Sequence, residues 1–260
     1  MPRIAIVIAA IIAVSIAPLR ANDLLPTGTL RATYIASNAA QAFVDPQTKE
    51  VRGPAAEIAR ELAKRLAVPV MVTGVASPAA VIESLKSGEA DIGFVAYDPA
   101  RAAEVDFSQT YALAQNTYLI LDASPIKSTA DMDRPGVRVG VATNDAGDLF
   151  LTRNLRNAVI TRNPGGNLDT AVKMLTSGEI DVYAANRTRL TELIKRVPGL
   201  RLTPENFYGV EQAVSVRKGN AKLLAAVESL LDEARGSGLI QGAIDRAGLP
   251  GVDVAPKQAR

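Results

Sequence analysis

The sequence predicts an α/β protein of two lobes, each with a mainly parallel sheet, joined by two hinge strands. Three observations carry this expectation. Residues 85–94 (LKSGEADIGF) and 175–184 (LTSGEIDVYA) repeat the pattern Leu-x-Ser-Gly-Glu-x-Asp followed by an apolar run. An amphipathic stretch precedes each copy, PAAVIESLKSG at 78–88 and LDTAVKMLTSG at 168–178, so Gly88 and Gly178 are placed to end a helix in the left-handed conformation before a strand. A short β-rich run ending in polar residues stands upstream of each copy, LRATYIAS at 30–37 and VRVGVATN at 137–144. Helix–Gly–strand units are common enough to coincide by chance, but the shared pattern and order favour duplication.

The elements follow in order. The chain begins MPRIAIVIAAIIAVSIAPLRAND, with Arg3 as a one-residue basic region and an apolar run from Ile4 to Ala17 that Pro18 breaks. That run is shorter than the roughly 20 residues a bilayer span needs, and suits a secretory signal cleaved after Leu19-Arg20-Ala21; an uncleaved anchor is the competing reading. Residues 54–66 set Ala55, Ile58, Ala59, Leu62 and Leu66 on one helical face. Ser77-Pro78 offers a capping hydroxyl and then a proline for the first turn of the next helix. Helices are also expected over 145–157, 187–196 and 239–247. A last long one runs over 221–235, capped by Asn220 and stopped by Gly236. Two apolar stretches, TYLILD at 117–122 and VEQAVSVRKG at 210–219, are the expected hinge connections. The resulting division is a signal peptide over 1–21, lobe one over 22–111 and 212–250, lobe two over 112–211, and a flexible tail over 251–260.

Composition removes several function classes. The chain has no cysteine and no histidine, so disulfides, thiolate and imidazole catalysis and the usual zinc ligands are all excluded. Loss of residues 1–21 takes away Arg3 and Arg20, which brings the net charge from +2 to zero. A nucleic-acid binder would need a basic surplus. With 48% apolar residues, either one large domain or two medium lobes can bury proper cores.

Several segments together resemble the periplasmic solute-binding proteins of ABC importers, in the family 3 group that takes polar amino acids. They are GTLRATY (28–34), GPAAEIARELAKRL (53–66), LKSGEADIGF (85–94), PAR with VDFSQTY (99–111), SPIKSTADM (124–132) and SVRKGNAKLLAAVESLLDEARGSG (215–238). The resemblance spans nearly the whole mature chain and rests on order and spacing rather than on one motif. It implies a type II periplasmic-binding fold that closes over a small solute as a monomer in the periplasm and docks on an inner-membrane permease. No metal, cofactor or catalytic residue is implied.

The resemblance also implies a solute-gripping arginine at Arg101, whose guanidinium matches a carboxylate with two parallel N–H donors. On residue pattern alone, pairing of Arg101 with Glu104 or Asp106 on a solvated helix competes evenly. Carried over position by position, the first-lobe loop contributes Tyr34, Asn38 and Gln41, and the strand end contributes Phe94 and Ala96. Tyr97 stands beside Arg101, although lone aromatics at a strand end are more often core. In lobe two, Thr143 and Asn144 precede a helix whose first N–H groups form an anion site, and Asn186 occupies the place of the acid that pairs with an amino acid's ammonium; as the bland alternative, Asn186 only caps the helix that follows. An amide brings no compensating charge to an ammonium. The expected solute is therefore a small organic acid, with an amino acid as runner-up if Asp145 or Glu211 replaces the missing acid. Two further functions stay open: a cyclohexadienyl-dehydratase-like enzyme on the same scaffold, and a sensory or accessory module that presents ligand to a partner.

Overall fold

Each Leu-x-Ser-Gly-Glu-x-Asp copy ends in an aspartate that clamps the arginine of an upstream strand. The computed structural model describes residues 24–257; the expected signal segment and the last three residues lie outside them. In the first half Asp91 accepts from Arg31 N (2.8 Å), Nε (3.0 Å) and Nη2 (2.7 Å), while Arg31 Nη1 donates to Gly88 O. In the second half Asp181 accepts from Arg138 N (2.8 Å), Nε (3.0 Å) and Nη2 (2.7 Å), while Arg138 Nη1 donates to Gly178 O. The bond is returned in both halves, as Asp91 N donates to Arg31 O and Asp181 N to Arg138 O, each at 2.9 Å. The echo in the sequence is thus a device that sets the register of two parallel strands.

The strands are β1 (Leu30–Ile35), β2 (Phe43–Val44), β3 (Val51–Arg52), β4 (Val70–Val75), β5 (Ile92–Ala96), β6 (Val105–Leu121), β7 (Arg138–Ala142), β8 (Val159–Asn163), β9 (Val182–Asn186), β10 (Leu200–Leu202), β11 (Tyr208–Arg217) and β12 (Val252–Val254). The helices are α1 (Pro54–Arg65), α2 (Pro78–Ser87), α3 (Ala146–Asn154), α4 (Leu168–Thr176), α5 (Arg187–Ile194), α6 (Ala221–Gly236) and α7 (Leu239–Ala247). The main sheet runs β4-β1-β5-β11-β6-β9-β7-β8. Its two wings are parallel, β1 with β4 and β5, and β7 with β8 and β9. The long strands β6 and β11 lie antiparallel in the middle and join the wings.

Local chemistry accounts for the helix ends. Ser77 Oγ accepts from Ala80 N (3.2 Å) ahead of Pro78, and Gly88 follows α2 at φ 81°. Asn220 caps α6 through Leu223 N. That helix retains Gly236 and ends at Ser237, because Gly238 (φ 76°) is the residue that turns left-handed. Each half packs its own apolar clusters. In the first, Leu30, Ile58, Leu62, Phe94 and Leu230 are fully buried or nearly so; in the second, Leu119, Leu175, Leu190 and Leu193 are.

Two expectations change. Asp106 does not share a solvated helix with Arg101; Asp106-Phe107-Ser108 lies inside β6, where Phe107 packs with Val81 and Val105. Within the tail expected to be flexible over 251–260, residues 252–254 instead add β12 to β6, pairing Val252 with Ala114 and Val254 with Ala112. Val252 is buried in the first-half core, and Arg235 Nε holds Ala255 O at 2.9 Å, so this segment has both apolar contact and hydrogen-bond partners.

Candidate functional site

The carboxyl ends of the strands in both wings open onto one cavity of about 310 Å³ between the halves, the usual ligand position in open α/β sheets. One wall comes from Ile35 and the loop after β1 (Ser37, Asn38), from Ala96 at the end of β5, and from Arg101. The opposite wall is the start of α3 (Asp145, Gly147) and the junction of β9 with α5 (Asn186, Thr188, Arg189). Ala114, Asn116, Val210 and Gln212 of the long strands contribute the floor.

Arg101 starts a single 3₁₀ turn, Arg101–Ala103, held by the Asp98 carboxylate, which accepts from Ala100 N and Arg101 N. Its Nη1 donates to Ala96 O at 2.9 Å. The two acids expected to compete for it are taken elsewhere: Glu104 pairs with Lys86 (2.9 Å) and Asp106 with Lys218 (2.8 Å). Among the described residues Arg101 forms no ion pair, so its guanidinium stands in the wall of the cavity with charge to spare.

Asp145 caps α3 by accepting from Asp148 N at 2.7 Å. Burial raises its carboxyl above the ordinary value, against the lowering pull of its backbone hydrogen bonds and of the more distant Arg189. Gly147 lets this carboxylate sit close, since a Cβ there would come 3.2 Å from Asp145 Oδ1. Asn186 Oδ1 accepts from Arg189 N, and its Nδ2 donates to Gln115 O on β6. It therefore caps α5 and lines the cavity at once. Arg189 Nη2 donates to Gly166 O at 3.2 Å. Beneath the floor, Gln41 Nε2 donates to Gln212 Oε1 (3.0 Å), Gln41 Oε1 accepts from Ile35 N, and Gln212 Nε2 donates to Val210 O.

Of the residues singled out from sequence, Arg101, Asn38, Ala96, Asn186 and the alternative acid Asp145 line this cavity, and seven others do not. Tyr34 and Phe94 are core residues, 2% and 0% exposed, with the Phe94 ring edge-on to Tyr111. Phe94 and Ala96 share a face of β5, but Phe94 lies two residues back from the strand end and is covered by the first-half core, whereas Ala96 is the last residue of the strand and reaches the cavity. Gln41 is buried and positions Gln212 and the end of β1. Tyr97 is 45% exposed and packs edge-on to Phe107, in a separate cleft that also holds Glu211. Thr143 and Asn144 are exposed turn residues before α3, Asn144 with φ 60° and its N–H on Asp148. Asn116, Thr188, Arg189 and Gln212 were not among the candidates. Arg189 had a signal in retrospect, because the third residue after a cleft-facing cap shares the cap's side of the helix. Asn116 and Gln212 had none, since only the pairing of β6 with β11 brings them to the cavity floor.

The sequence matches the family described as bacterial extracellular solute-binding proteins, family 3, over residues 30–247. It is 28% identical over 190 residues to the L-cystine-binding protein TcyJ of Escherichia coli (strain K12), covering 71% of this chain and 70% of that protein. It is 26% identical over 193 residues to the lysine/arginine/ornithine-binding periplasmic protein of the same strain, covering 70% and 73%. A solved structure of an ancestral cationic amino acid solute binding protein superposes with a TM-score of 0.66 at 25% identity, covering 87% of this chain and 98% of that one.

Proposed function

This chain belongs to the bacterial extracellular solute-binding proteins, family 3, and on that premise we propose that it captures an amino acid in the periplasm and hands it to an ABC permease in the inner membrane. The organic acid expected from sequence is set aside, for two reasons. The relatives are named for amino acids, and the acid missing at Asn186 has a replacement across the cavity from Arg101 in Asp145. In this reading Arg101 grips the α-carboxylate and Asp145 faces the α-ammonium. Asn186 and the floor residues Asn116 and Gln212 complete the hydrogen bonding. Contacts from both walls favour the closed arrangement, which is the form a permease would recognise, and the protein acts as a monomer.

The observation that carries the reading is Arg101: a guanidinium in the wall of an inter-lobe cavity whose two expected competitors, Glu104 and Asp106, are both engaged by lysines. Its test is a thermal-shift screen of the protein lacking residues 1–21 against the common amino acids, with Arg101→Ala alongside. Binding to the folded form raises Tm, and loss of the carboxylate's charge partner should weaken binding at least about tenfold, since such truncations cost roughly 2–5 kcal/mol. Equal shifts for both proteins would remove Arg101 from the site.

One observation favours a second reading. A partly buried carboxyl whose proton is held more tightly than usual, Asp145, is also what a general acid needs. Turnover of a cyclohexadienyl acid would support an enzyme, whereas recovery of the bound solute unaltered supports capture.

A further inference from the structure

We propose that the solute is a dicarboxylic amino acid, one that carries a carboxylate on its side chain as well as on its α-carbon; this rests on the amino-acid reading above. Among the described residues, the ionisable side chains lining the cavity are Arg101 and Asp145 from the two walls and a second arginine, Arg189, on the same wall as Asp145. The α-carboxylate and α-ammonium of any amino acid use one cation and one anion. Arg101 and Asp145 supply them, and Arg189 is left over.

Arg189 has no ion-pair partner among the described residues, and its guanidinium donates to a neutral acceptor, the Gly166 carbonyl. It is not tied to Asp145 by a direct bond, and feels that carboxylate only at longer range. Its place is set by the fold: the Asn186 cap fixes the first turn of α5, and Arg189 N is the group that the cap holds. The Gly166 carbonyl that receives its guanidinium lies in a turn with positive φ (62°), where a Cβ would strike Ala142 Cβ at 2.8 Å. A charged head oriented this way by neutral backbone is prepared for an anion rather than for structure.

The charge balance sorts the candidate solutes. A side-chain carboxylate gives Arg189 its counter-charge, so that every ion at the site has a partner when the cavity closes. A neutral amide leaves Arg189 desolvated without one. A lysine or arginine side chain adds a like charge beside Arg189, with Asp145 already engaged. Cystine satisfies both arginines but brings a second ammonium that finds no further acid in the cavity wall. Unpaired charge in a closing cleft is costly, and discrimination follows from that cost rather than from shape.

The test is titration calorimetry of the protein lacking residues 1–21 with L-glutamate, L-aspartate, L-glutamine, L-arginine, L-cystine and glutarate. Arg189→Gln and the charge-preserving Arg189→Lys are run beside the wild type. The expected result is glutamate or aspartate tightest, by roughly tenfold or more over glutamine and arginine. Arg189→Gln should collapse the glutamate-to-glutamine ratio towards one, and Arg189→Lys should restore part of it. Tightest binding of glutamine, arginine or cystine overturns the dicarboxylic proposal and leaves the amino-acid reading standing. Glutarate binding as tightly as glutamate also overturns the proposal, because the ammonium would then contribute nothing. Binding of none of the six overturns this proposal, and a failed screen of the other amino acids would then remove the reading on which it rests.

Discussion

The two wings are built to one plan, yet they differ at one registered pair of positions. In the first wing Thr33 on β1 faces Gly93 on β5; in the second, Gly140 on β7 faces Tyr183 on β9. Counted from the clamping residues Arg31 and Asp91, or Arg138 and Asp181, these are the same two places. A Cβ on Gly93 would sit 2.5 Å from Val81 Cγ1 of α2, and a Cβ on Gly140 would sit 2.4 Å from Ile180 Cδ1 and 2.8 Å from Tyr183 Cδ2. The halves thus place the glycine on opposite members of the pair, excluded from carrying a side chain by α2 in the first half and by Ile180 and the registered Tyr183 in the second. In the first half the helix itself fills the space, and Thr33 Oγ1 contacts Ser84 Oγ at 3.3 Å. In the second half the Tyr183 ring fills it, with its hydroxyl 3.1 Å from Asn163 Nδ2. The clamp is kept while the packing above it is free to diverge, because the clamp is a set of directional hydrogen bonds from one arginine–aspartate pair and its backbone, whereas the packing is made with volume.

The sharpest way to break this comparison is to move the glycine. Tyr183→Gly gives the second half the first half's residue without its helix packing, and the cavity left behind should cost about 4 kcal/mol. The reverse change, Gly93→Ala, overpacks β5 against α2 and should cost about 2 kcal/mol. Both are read by denaturant unfolding, and a cost below about 1 kcal/mol for Tyr183→Gly would mean that the ring is not what fills the second half.

The clamps give a smaller and graded contrast. The Asp91 side chain is 8% exposed and that of Asp181 is 33% exposed. Asp91 raises the guanidinium of Arg31, and Arg138 in turn lowers the carboxyl of Asp181, in both cases chiefly through direct hydrogen bonds. Asp91→Ala should therefore lower stability by about 2 kcal/mol, and Asp181→Ala by less, because solvent screens the outer pair. Thermal unfolding of the two variants compares them directly; a larger loss for Asp181→Ala would reverse the ranking by burial.

The smallest effect concerns pH. The carboxyl of Asp145 is raised by burial in the folded protein, so the native state binds its proton more tightly than the unfolded chain does. Stability without solute should thus fall as pH rises from the ordinary carboxylate value through the raised one. Asp145→Asn keeps a capping side chain and should flatten that part of the stability–pH curve. The same variant should weaken amino-acid binding, so that the ligand-free protein gains at neutral pH what the complex loses.

Much of the fold was legible because it is written in local chemistry. Ser77, Asn186 and Asn220 cap the helices they precede, and Gly88 and Gly178 turn left-handed after the helices that the echo ends. The candidate site was legible only at or just beyond a strand end: Ala96 and Asn186 are the last residues of β5 and β9, and Asn38 and Arg101 stand within five residues of the ends of β1 and β5. Tyr34, Phe94, Thr143 and Asn144 carry plausible chemistry at neighbouring positions, but strand alternation turns Tyr34 into the core, core packing covers Phe94 back from the end of its strand, and a left-handed turn leaves Thr143 and Asn144 outside the cavity.

What the sequence determined by itself was the duplicated scaffold, since capping, glycine conformation and apolar periodicity act over a few residues and need no distant partner. Tertiary structure alone decided which charges meet. Glu104 and Asp106 are close to Arg101 in the chain, yet Lys86 and Lys218 take them, across 18 and 112 residues respectively. Asp145 and Arg189 come to face the same cavity as Arg101 only because β6 and β11 hold two wings edge to edge. Electrostatic pairing depends on distance in space, and only the folded chain sets that distance.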